Sequence, residues 1–398
     1  MQRTGATALF AAATLLFVSG CSDDGGGNGP RIGPRAPSKS GTNSGSPSAS
    51  APSSSTSSSA APKKGTAKVV ATVAQKLNTP WGLVELSDGD LLVASRDTGK
   101  VFRVGADDGK KTELGAVAGA SPRGEGGLLG LAVSPTFGAD RMVYAYFTTE
   151  SDNRVARMMY DEKRPAGQQL GAPDTILKGI PKGTVHNGGR IAFGPDKMLY
   201  VGTGESGDRG LAQDKESLGG KILRMTPDGQ PADGNPSADS VVYSYGHRNV
   251  QGLAWDKNKR LWASEFGQDT WDELNLIKPD GNYGWPEVEG KGEEDEFTAQ
   301  GLVAPVEQWK TADASPSGIA IVNGSVWMAA LGGERLWRIP LNGTRPAGTP
   351  QEFFVGKYGR LRTVEAADDG TLLVTTSNTD GRGDPGSQDD RILRLKVT

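Results

Sequence analysis

A short apolar strand that starts just after a polar turn recurs six times along this chain. The copies are Leu91-Leu92-Val93-Ala94, Met142-Val143-Tyr144-Ala145, Met198-Leu199-Tyr200-Val201, Leu261-Trp262-Ala263-Ser264, Val326-Trp327-Met328-Ala329 and Leu372-Leu373-Val374-Thr375. Successive copies begin about 45 to 65 residues apart, the length of a four-stranded antiparallel blade with variable loops. Most are followed by a second strand of alternating type, such as Lys100–Val104, Lys221–Met225, Arg335–Ile339 and Arg391–Leu395. Most are preceded by a glycine-apolar pair: Gly82-Leu83, Gly130-Leu131, Gly252-Leu253 and Gly318-Ile319. The turn dipeptides Asp88-Gly89, Asp228-Gly229, Asp280-Gly281 and Asp369-Gly370 suit hairpins, where glycine tolerates positive φ. Nothing of helical periodicity exceeds two or three turns. A β-sandwich also has short strands and turns, but six spaced units predict radial repetition. The expected fold is an all-β, six-bladed β-propeller over residues 67–398.

The residues ahead of it have another use. Met1 to Gly20 carry one early cation, Arg3, and then a run of Ala, Leu, Phe and Val too short for a permanent membrane span. Val18-Ser19-Gly20-Cys21 resembles a bacterial lipobox, in which the cysteine is acylated and becomes the new N-terminus. An ordinary secretory peptide cleaved nearby is the alternative. The expectation is an exported protein held at the outer side of the cell membrane through Cys21 alone. That cysteine is the only one in the sequence, so an exported domain has no disulfide to lean on. Residues 21–66 are mostly Ser, Ala, Pro and Gly, too poor in large apolar side chains to offset their ordering entropy, and are read as a disordered tether. Lys plus Arg number 44 against 47 Asp plus Glu, with no basic stripe, which argues against a nucleic-acid partner.

In propellers, ligands sit among the loops at one end of the central channel, so chemistry is sought where loops interrupt the repeat. The chain has two histidines, His186 and His247, each in a glycine-rich segment just before a blade. A neutral imidazole beside glycines is a ready base, and a turn histidine bonded to backbone is the plainer alternative for either. Ser264 to Asn275, followed by Gly281 to Pro286, combines closely spaced carboxylates, an Asn and a carbonyl-rich turn. Those are the hard oxygen donors that Ca²⁺ takes. Arg360-Leu361-Arg362 puts two guanidinium groups on one face of a strand, because side chains alternate with period two. With Arg248 they offer three planar cations to a multiply charged carboxylate; surface pairing with Asp or Glu is the bland reading.

Taken in order, these segments resemble the soluble quinoprotein aldose and glucose dehydrogenases, the glucose/sorbosone dehydrogenase family. The resemblance runs from about Leu77 to the end and rests on several motifs. They are Gly124–Gly130, the His186 segment, Gly246–Gly252, Asp272 to Pro286 and the Arg360/Arg362 pair. It implies a six-bladed propeller that uses pyrroloquinoline quinone (PQQ) and calcium to oxidise aldose sugars to lactones, passing electrons to a separate acceptor. By that resemblance His186 is the general base toward the anomeric hydroxyl. Arg248, Asn249, Arg360 and Arg362 match cofactor contacts, and Glu125 and Gln251 fall beside the cofactor with them. The carbonyls of Gly267 and Gln268 match ligands of the cofactor's Ca²⁺. Glu273 and the Tyr283 turn match a second, structural calcium, with Asp272 among the acidic ligands of that stretch.

The sequence departs from the family pattern at four places. Glu125 stands where better-known members have glutamine, Gly332 where they have a lysine, and Phe266 and Gln268 replace a polar residue and a proline. A like charge gained and a cation lost predict weaker hold on an anionic cofactor. Two other functions remain open from the residues alone: a propeller of the same fold that binds without catalysis, and a metal-dependent, lactonase-type hydrolase.

Overall fold

Each of the six apolar runs becomes the second strand of its own antiparallel sheet. The computed structural model describes residues 60–292, 297 and 299–398; Cys21 and the expected signal peptide lie outside them. Blade one comprises Pro80–Glu85, Leu91–Ser95, Lys100–Val104 and Lys111–Ala116, and blade two Leu128–Val133, Met142–Thr148, Asn153–Met159 and Asp174–Ile180. Blade three is Ile191–Phe193, Leu199–Gly202, Lys221–Met225 and Val242–Tyr245, and blade four Val250–Trp255, Leu261–Glu265, Trp271–Leu276 and Glu307–Lys310. Blade five is Pro316–Val322, Ser325–Ala330, Arg335–Asn342 and Gln351–Phe353, with the short Arg345–Pro346 also paired to its third strand. Blade six takes Leu361–Ala366, Leu372–Thr376 and Ile392–Val397 from the C-terminus and its outer strand, Ala67–Ala74, from the N-terminal side.

That last pairing closes the ring. Ala67 faces Val397 and Val69 faces Leu395, so the final strand is not left as an open edge. Six hydrophobic clusters lie between neighbouring blades, including one in which Leu83, Leu91 and Val93 of blade one meet Leu373 and Ile392 of blade six. A second strand is therefore covered on both faces, and Leu91–Ser95, Leu261–Glu265 and Leu372–Thr376 are buried at every position. This is why the second strands read as continuous apolar runs, whereas an outer strand such as Asp174–Ile180 is largely exposed. The glycine-apolar pairs fall in the innermost strands, which crowd around the axis. A Cβ on Gly82 would stand 2.6 Å from the Leu129 carbonyl oxygen of the next blade.

Two details differ from expectation. The folded part begins upstream of Ala67, because Arg338, wholly buried, donates to the Pro62 carbonyl (2.9 Å) and Ala61 N–H donates to Leu341 (2.9 Å). A buried guanidinium needs such acceptors, and the end of the tether supplies one. At Asp280-Gly281 the left-handed residue is Asp280, φ 57°, and not the glycine; Asp is among the side chains that tolerate that region. Among the described residues no helix is long and apolar enough to cross a membrane.

Among the described residues, cavities lie toward both ends of the axial channel. The innermost strands run from one mouth to the other, so their first and last residues mark opposite ends. Toward the last residues, a chamber of about 220 Å³ is walled by Leu131, Phe193, Leu253 and Ile319, with Arg190 and Glu365 as its charged groups. Arg190 donates to the Gln251 carbonyl (2.8 Å) and to Thr363 Oγ1 (3.1 Å), and lies 4.4 Å from the Trp81 ring centroid. Burial pushes the Glu365 carboxyl up to about 7, with Arg190 opposing and Glu85 adding to the rise. The native state therefore holds that proton more tightly than the unfolded chain. The stability this confers is present below the ordinary value of 4.5 and is lost as pH rises through about 7. Glu365→Gln is expected to raise the melting temperature by roughly 2 °C at pH 8 and to leave it unchanged at pH 4, as read by scanning calorimetry.

Candidate active site

At the other mouth, the first residues of the innermost strands meet the loops that leave the second strands. Trp81, Gln251 and Arg362 come from innermost strands of blades one, four and six. Arg96, Phe266, Leu331 and Asp380 follow second strands, while Glu125 and Thr184 precede innermost ones. Together with Arg360 and Arg382 they enclose a cleft of about 210 Å³.

Four guanidinium groups (Arg96, Arg360, Arg362 and Arg382) face two carboxylates (Glu125 and Asp380) on this wall. Arg360 Nε and Arg362 Nη2 both reach Asp380 Oδ2, at 3.0 and 3.2 Å. Arg360, just ahead of the strand, and Arg362 within it thus turn to one side, and a buried aspartate gathers them. Burial pushes Asp380 up, but Arg362 and Arg360 outweigh it and hold the carboxyl below its ordinary value. Burial pulls Arg362 down to about 10. Its Nη1 also donates to Gln251 Oε1 (3.3 Å), and its Nε to Ser377 Oγ (3.0 Å). Arg96 pairs with Asp97 (2.6 Å) and donates to the Asp380 carbonyl (3.2 Å). Glu125 is not a bare negative charge: Oε1 pairs with Arg382 (2.7 Å), and Oε2 accepts the His186 backbone N–H (2.9 Å).

His186 borders this cleft through that bond. Its φ is 53°, a left-handed conformation uncommon for a residue with a Cβ. Both main-chain groups are tied, the N–H to Glu125 and the carbonyl to Ser206 N–H (3.1 Å). The ring Nδ1 lies 2.5 Å from Oε1 of Glu205, whose side chain is 1% exposed. Nε2 has no partner among the described residues. A carboxylate holding one ring nitrogen fixes the tautomer and leaves the other nitrogen to accept a proton. His247, which looks equivalent in sequence, is wholly buried with Nδ1 on Glu265 (2.9 Å) and Nε2 on Ser244 (2.8 Å), and stacks on Tyr283 at 4.6 Å. It is a structural histidine.

Behind the dyad, Glu205 N–H donates to the Arg248 carbonyl (2.9 Å), and Asn249 Oδ1 accepts from Gly188 N–H (2.9 Å). Four buried polar atoms here have no partner among the described residues: Glu205 Oε2, Arg248 Nε, Asn249 Nδ2 and Trp285 Nε1. Burial draws the Arg248 guanidinium below the usual arginine value, with Glu205 and Glu289 opposing. Unsatisfied buried groups are rare enough that such a cluster calls for a polar ligand or ordered water.

The acidic loop has a definite architecture. Glu289 Oε1 accepts the backbone N–H groups of Gln268, Asp269, Thr270 and Trp271 at 2.8, 3.1, 2.9 and 2.9 Å. In a trans peptide the carbonyl opposes the following N–H, so the carbonyls of Gly267 and Gln268 point away from Glu289. Neither accepts a hydrogen bond among the described residues. Asp272 takes Gly267 N–H (2.9 Å) and Ser315 N–H (2.6 Å), and burial pushes it up to about 6. Glu273 takes Gly290 N–H (2.7 Å) and shares Asn275 Nδ2 with Glu265; burial and the Glu265 carboxylate push it well up. The Tyr283 hydroxyl donates to the Leu276 carbonyl (2.7 Å) and accepts from Lys278 N–H (2.9 Å), so it is taken up within its own turn. Among the described residues no group of three or more His, Cys, Asp or Glu is arranged around a metal position. The free carbonyls of Gly267 and Gln268 suit a hard cation.

A family model described as Glucose / Sorbosone dehydrogenase matches residues 77–393. The chain belongs to the glucose/sorbosone dehydrogenase family. Within that family it resembles the PQQ-bound form of aldose sugar dehydrogenase from Streptomyces coelicolor, with a TM-score of 0.83 and 67% identity over 85% of this chain and 100% of that one. Aldose sugar dehydrogenase YliI of Escherichia coli (strain K12) is 28% identical over 342 residues, 78% of this chain and 91% of the relative. Quinoprotein glucose dehydrogenase B of Acinetobacter calcoaceticus is 31% identical over 249 residues, 55% of this chain and 52% of the relative.

Within this family member the fold brings Glu125, Gln251, Arg360 and Arg362 to one cleft, with His186, Arg248 and Asn249 bonded around it. Gly332 lies off the cleft wall, where a Cβ would meet Ser315 Oγ at 2.6 Å; its neighbour Leu331 is the lining residue. Sequence reasoning missed Trp81, Glu205, Glu289, Asp380 and Arg382. Only Asp380 had a signal, since two arginines on one strand face demand a buried counter-charge.

Proposed function

We propose that this chain oxidises aldose sugars to lactones with PQQ as resident cofactor and calcium beside it, outside the cell membrane, handing electrons to a separate acceptor. The observation that carries the reading is the arginine-lined cleft bordered by the His186–Glu205 pair. The residues fit a planar polyanion. Four guanidinium groups face Glu125 and Asp380, and Asp97 answers Arg96 from beside the wall, which leaves one positive charge over; Arg248 Nε and Asn249 Nδ2 are buried donors with no acceptor among the described residues.

Arg360, Arg362 and Arg248 would hold the carboxylates, with Asn249 and Gln251 adding polar contacts. When bound, PQQ supplies the hydride acceptor, and the cation at the Gly267 and Gln268 carbonyls acts there as a Lewis acid. His186 Nε2 takes the proton of the anomeric hydroxyl, and Glu205 holds the opposite nitrogen and stabilises the charge that develops on the ring. Trp81, stacked over Arg190, gives the cleft a flat, rigid side. Export and acylation at Cys21 belong to the same reading. They account for a tether of small and polar residues ahead of a domain with no disulfide. Hydrolysis is the less supported alternative, because Asp380 and Glu125 are each spent on arginines.

The test is a PQQ titration of the full chain stripped of cofactor and metal, with and without Ca²⁺, followed by aldose. Calcium-dependent binding and sugar-driven reduction of the bound quinone are expected, and intact cells should reduce a membrane-impermeant dye. A folded chain that binds no PQQ at about 100 μM, a concentration that detects even weak complexes, overturns the reading. So does binding without reduction, which would leave a non-catalytic propeller.

A further inference from the structure

We propose that Arg382 supplies the ligand cation that this chain lacks at position 332, approaching the acidic cofactor from the Glu125 side of the cleft. This rests on the cofactor reading above. Lysine at Gly332 is not available to this chain, and the glycine faces Ser315 instead of the cavity. A cation on that side of the cleft therefore has to come from another loop.

Arg382 is placed to meet it. It lines the cleft, and its backbone N–H donates to Asp380 Oδ1 (3.0 Å). The same aspartate holds Arg360 and Arg362 through its other oxygen. One carboxylate thus sets the positions of three arginines, two by side chain and one by main chain. The Arg382 guanidinium pairs through Nη2 with Glu125 Oε1 (2.7 Å), and its Nε and Nη1 have no partner among the described residues. Guanidinium has five N–H donors in a rigid fork, so it bridges two carboxylates without breaking either contact. Its side chain is 60% exposed, so little desolvation opposes a turn toward a ligand.

The same pair answers the extra charge at Glu125. Oε2 is fixed by the His186 N–H, and Oε1 is neutralised by Arg382, so the charge of the acid is already answered within the cleft. Departures that look damaging one by one in sequence become complementary: a neutral residue turned acidic, and a cation moved from one loop to another.

A double-mutant cycle on PQQ affinity tests this, measured by absorbance titration of the full chain with Ca²⁺ and no sugar. Arg382→Gln is expected to weaken binding by about 10- to 100-fold, the scale of one charge-assisted contact. Glu125→Gln should change it by less than about threefold, because removing a carboxylate frees Arg382 without removing it. The double variant should stay at least about tenfold weaker than Glu125→Gln alone. Arg382→Lys should recover part of the loss, and all five chains should melt within about 2 °C of one another, because Arg382 is exposed and the amide oxygen of Glu125→Gln can still accept the His186 N–H. Wild-type affinity in Arg382→Gln overturns the assignment. So does a double variant that matches Glu125→Gln, which would reduce Arg382 to neutralising its neighbour. A wild-type chain that binds no PQQ removes the cofactor reading and this assignment together.

Discussion

His186→Asn is expected to lower the rate of aldose oxidation by about 10³-fold, within the range that a positioned general base contributes, while PQQ affinity changes little. Asparagine is the informative replacement because residue 186 sits at φ 53°. Asn tolerates that region better than Ala does, and the bonds that hold the turn, to Glu125 and from Ser206, use only the main chain. A loss in this variant therefore reports on the imidazole and not on a collapsed loop. Glu205→Gln tests the other half of the pair. The amide keeps the size of the side chain but removes the negative charge 2.5 Å from Nδ1, so a loss of about 10²-fold is expected. Single-turnover reduction of bound quinone by sugar is the measurement, with PQQ titration as the control for binding. A His186→Asn enzyme that keeps more than about a tenth of the wild-type rate would show that the proton leaves by another route. Glu205→Gln indistinguishable from wild type would reduce the carboxylate to a packing role.

What the sequence discloses about the fold is set by burial. Second strands such as Ser325–Ala330, buried at every position, leave an uninterrupted apolar signature, and four of the six innermost strands carry a glycine where a neighbouring backbone approaches. Outer strands are exposed and irregular, and nothing in Gln351–Phe353 marks it as an outer strand of blade five. In the site, Arg360 and Arg362 were legible because they obey strand alternation. Glu205, Glu289 and Arg382 were not, since each is a single polar residue in a loop whose meaning lies in a distant partner. Glu125 meets His186 61 positions away, and Thr363 donates to the Trp81 carbonyl across 282. No local pattern encodes such pairs. The two histidines make the same point, because glycine-rich flanks are common to both. The difference lies in the acceptor set around each ring: His247 spends both nitrogens in the core, and His186 spends one.

Glu289→Ala is expected to weaken calcium binding by about 100-fold, and Glu289→Gln by about tenfold, without unfolding the propeller. One carboxylate oxygen receives four consecutive N–H groups, and charge-assisted bonds of this kind are roughly twice as strong as neutral ones. The turn is pinned by that oxygen from the inside. A Cβ on Gly267 would stand 1.9 Å from the Trp271 carbonyl oxygen and 2.5 Å from this carboxylate oxygen, which is why the first residue of the turn has no side chain. With the anion gone, the amides of residues 268–270, which lie at the surface, can be solvated, so the cost to the whole fold is small. The cost to the carbonyls is not. Ca²⁺ takes six to eight oxygens, and it gains most where they are already aimed. Once the peptides are free to rotate, the Gly267 and Gln268 oxygens no longer converge. Calorimetric titration of the metal-free full chain with Ca²⁺ alone gives the affinities, and amide exchange at residues 268–271 reports the turn directly. Faster exchange together with weaker binding is the expected pair. Faster exchange with wild-type calcium affinity would show that these carbonyls are not the ligands. A wild-type chain that takes up no Ca²⁺ would remove calcium from the proposed chemistry, leaving Glu289 with a purely structural part in the turn.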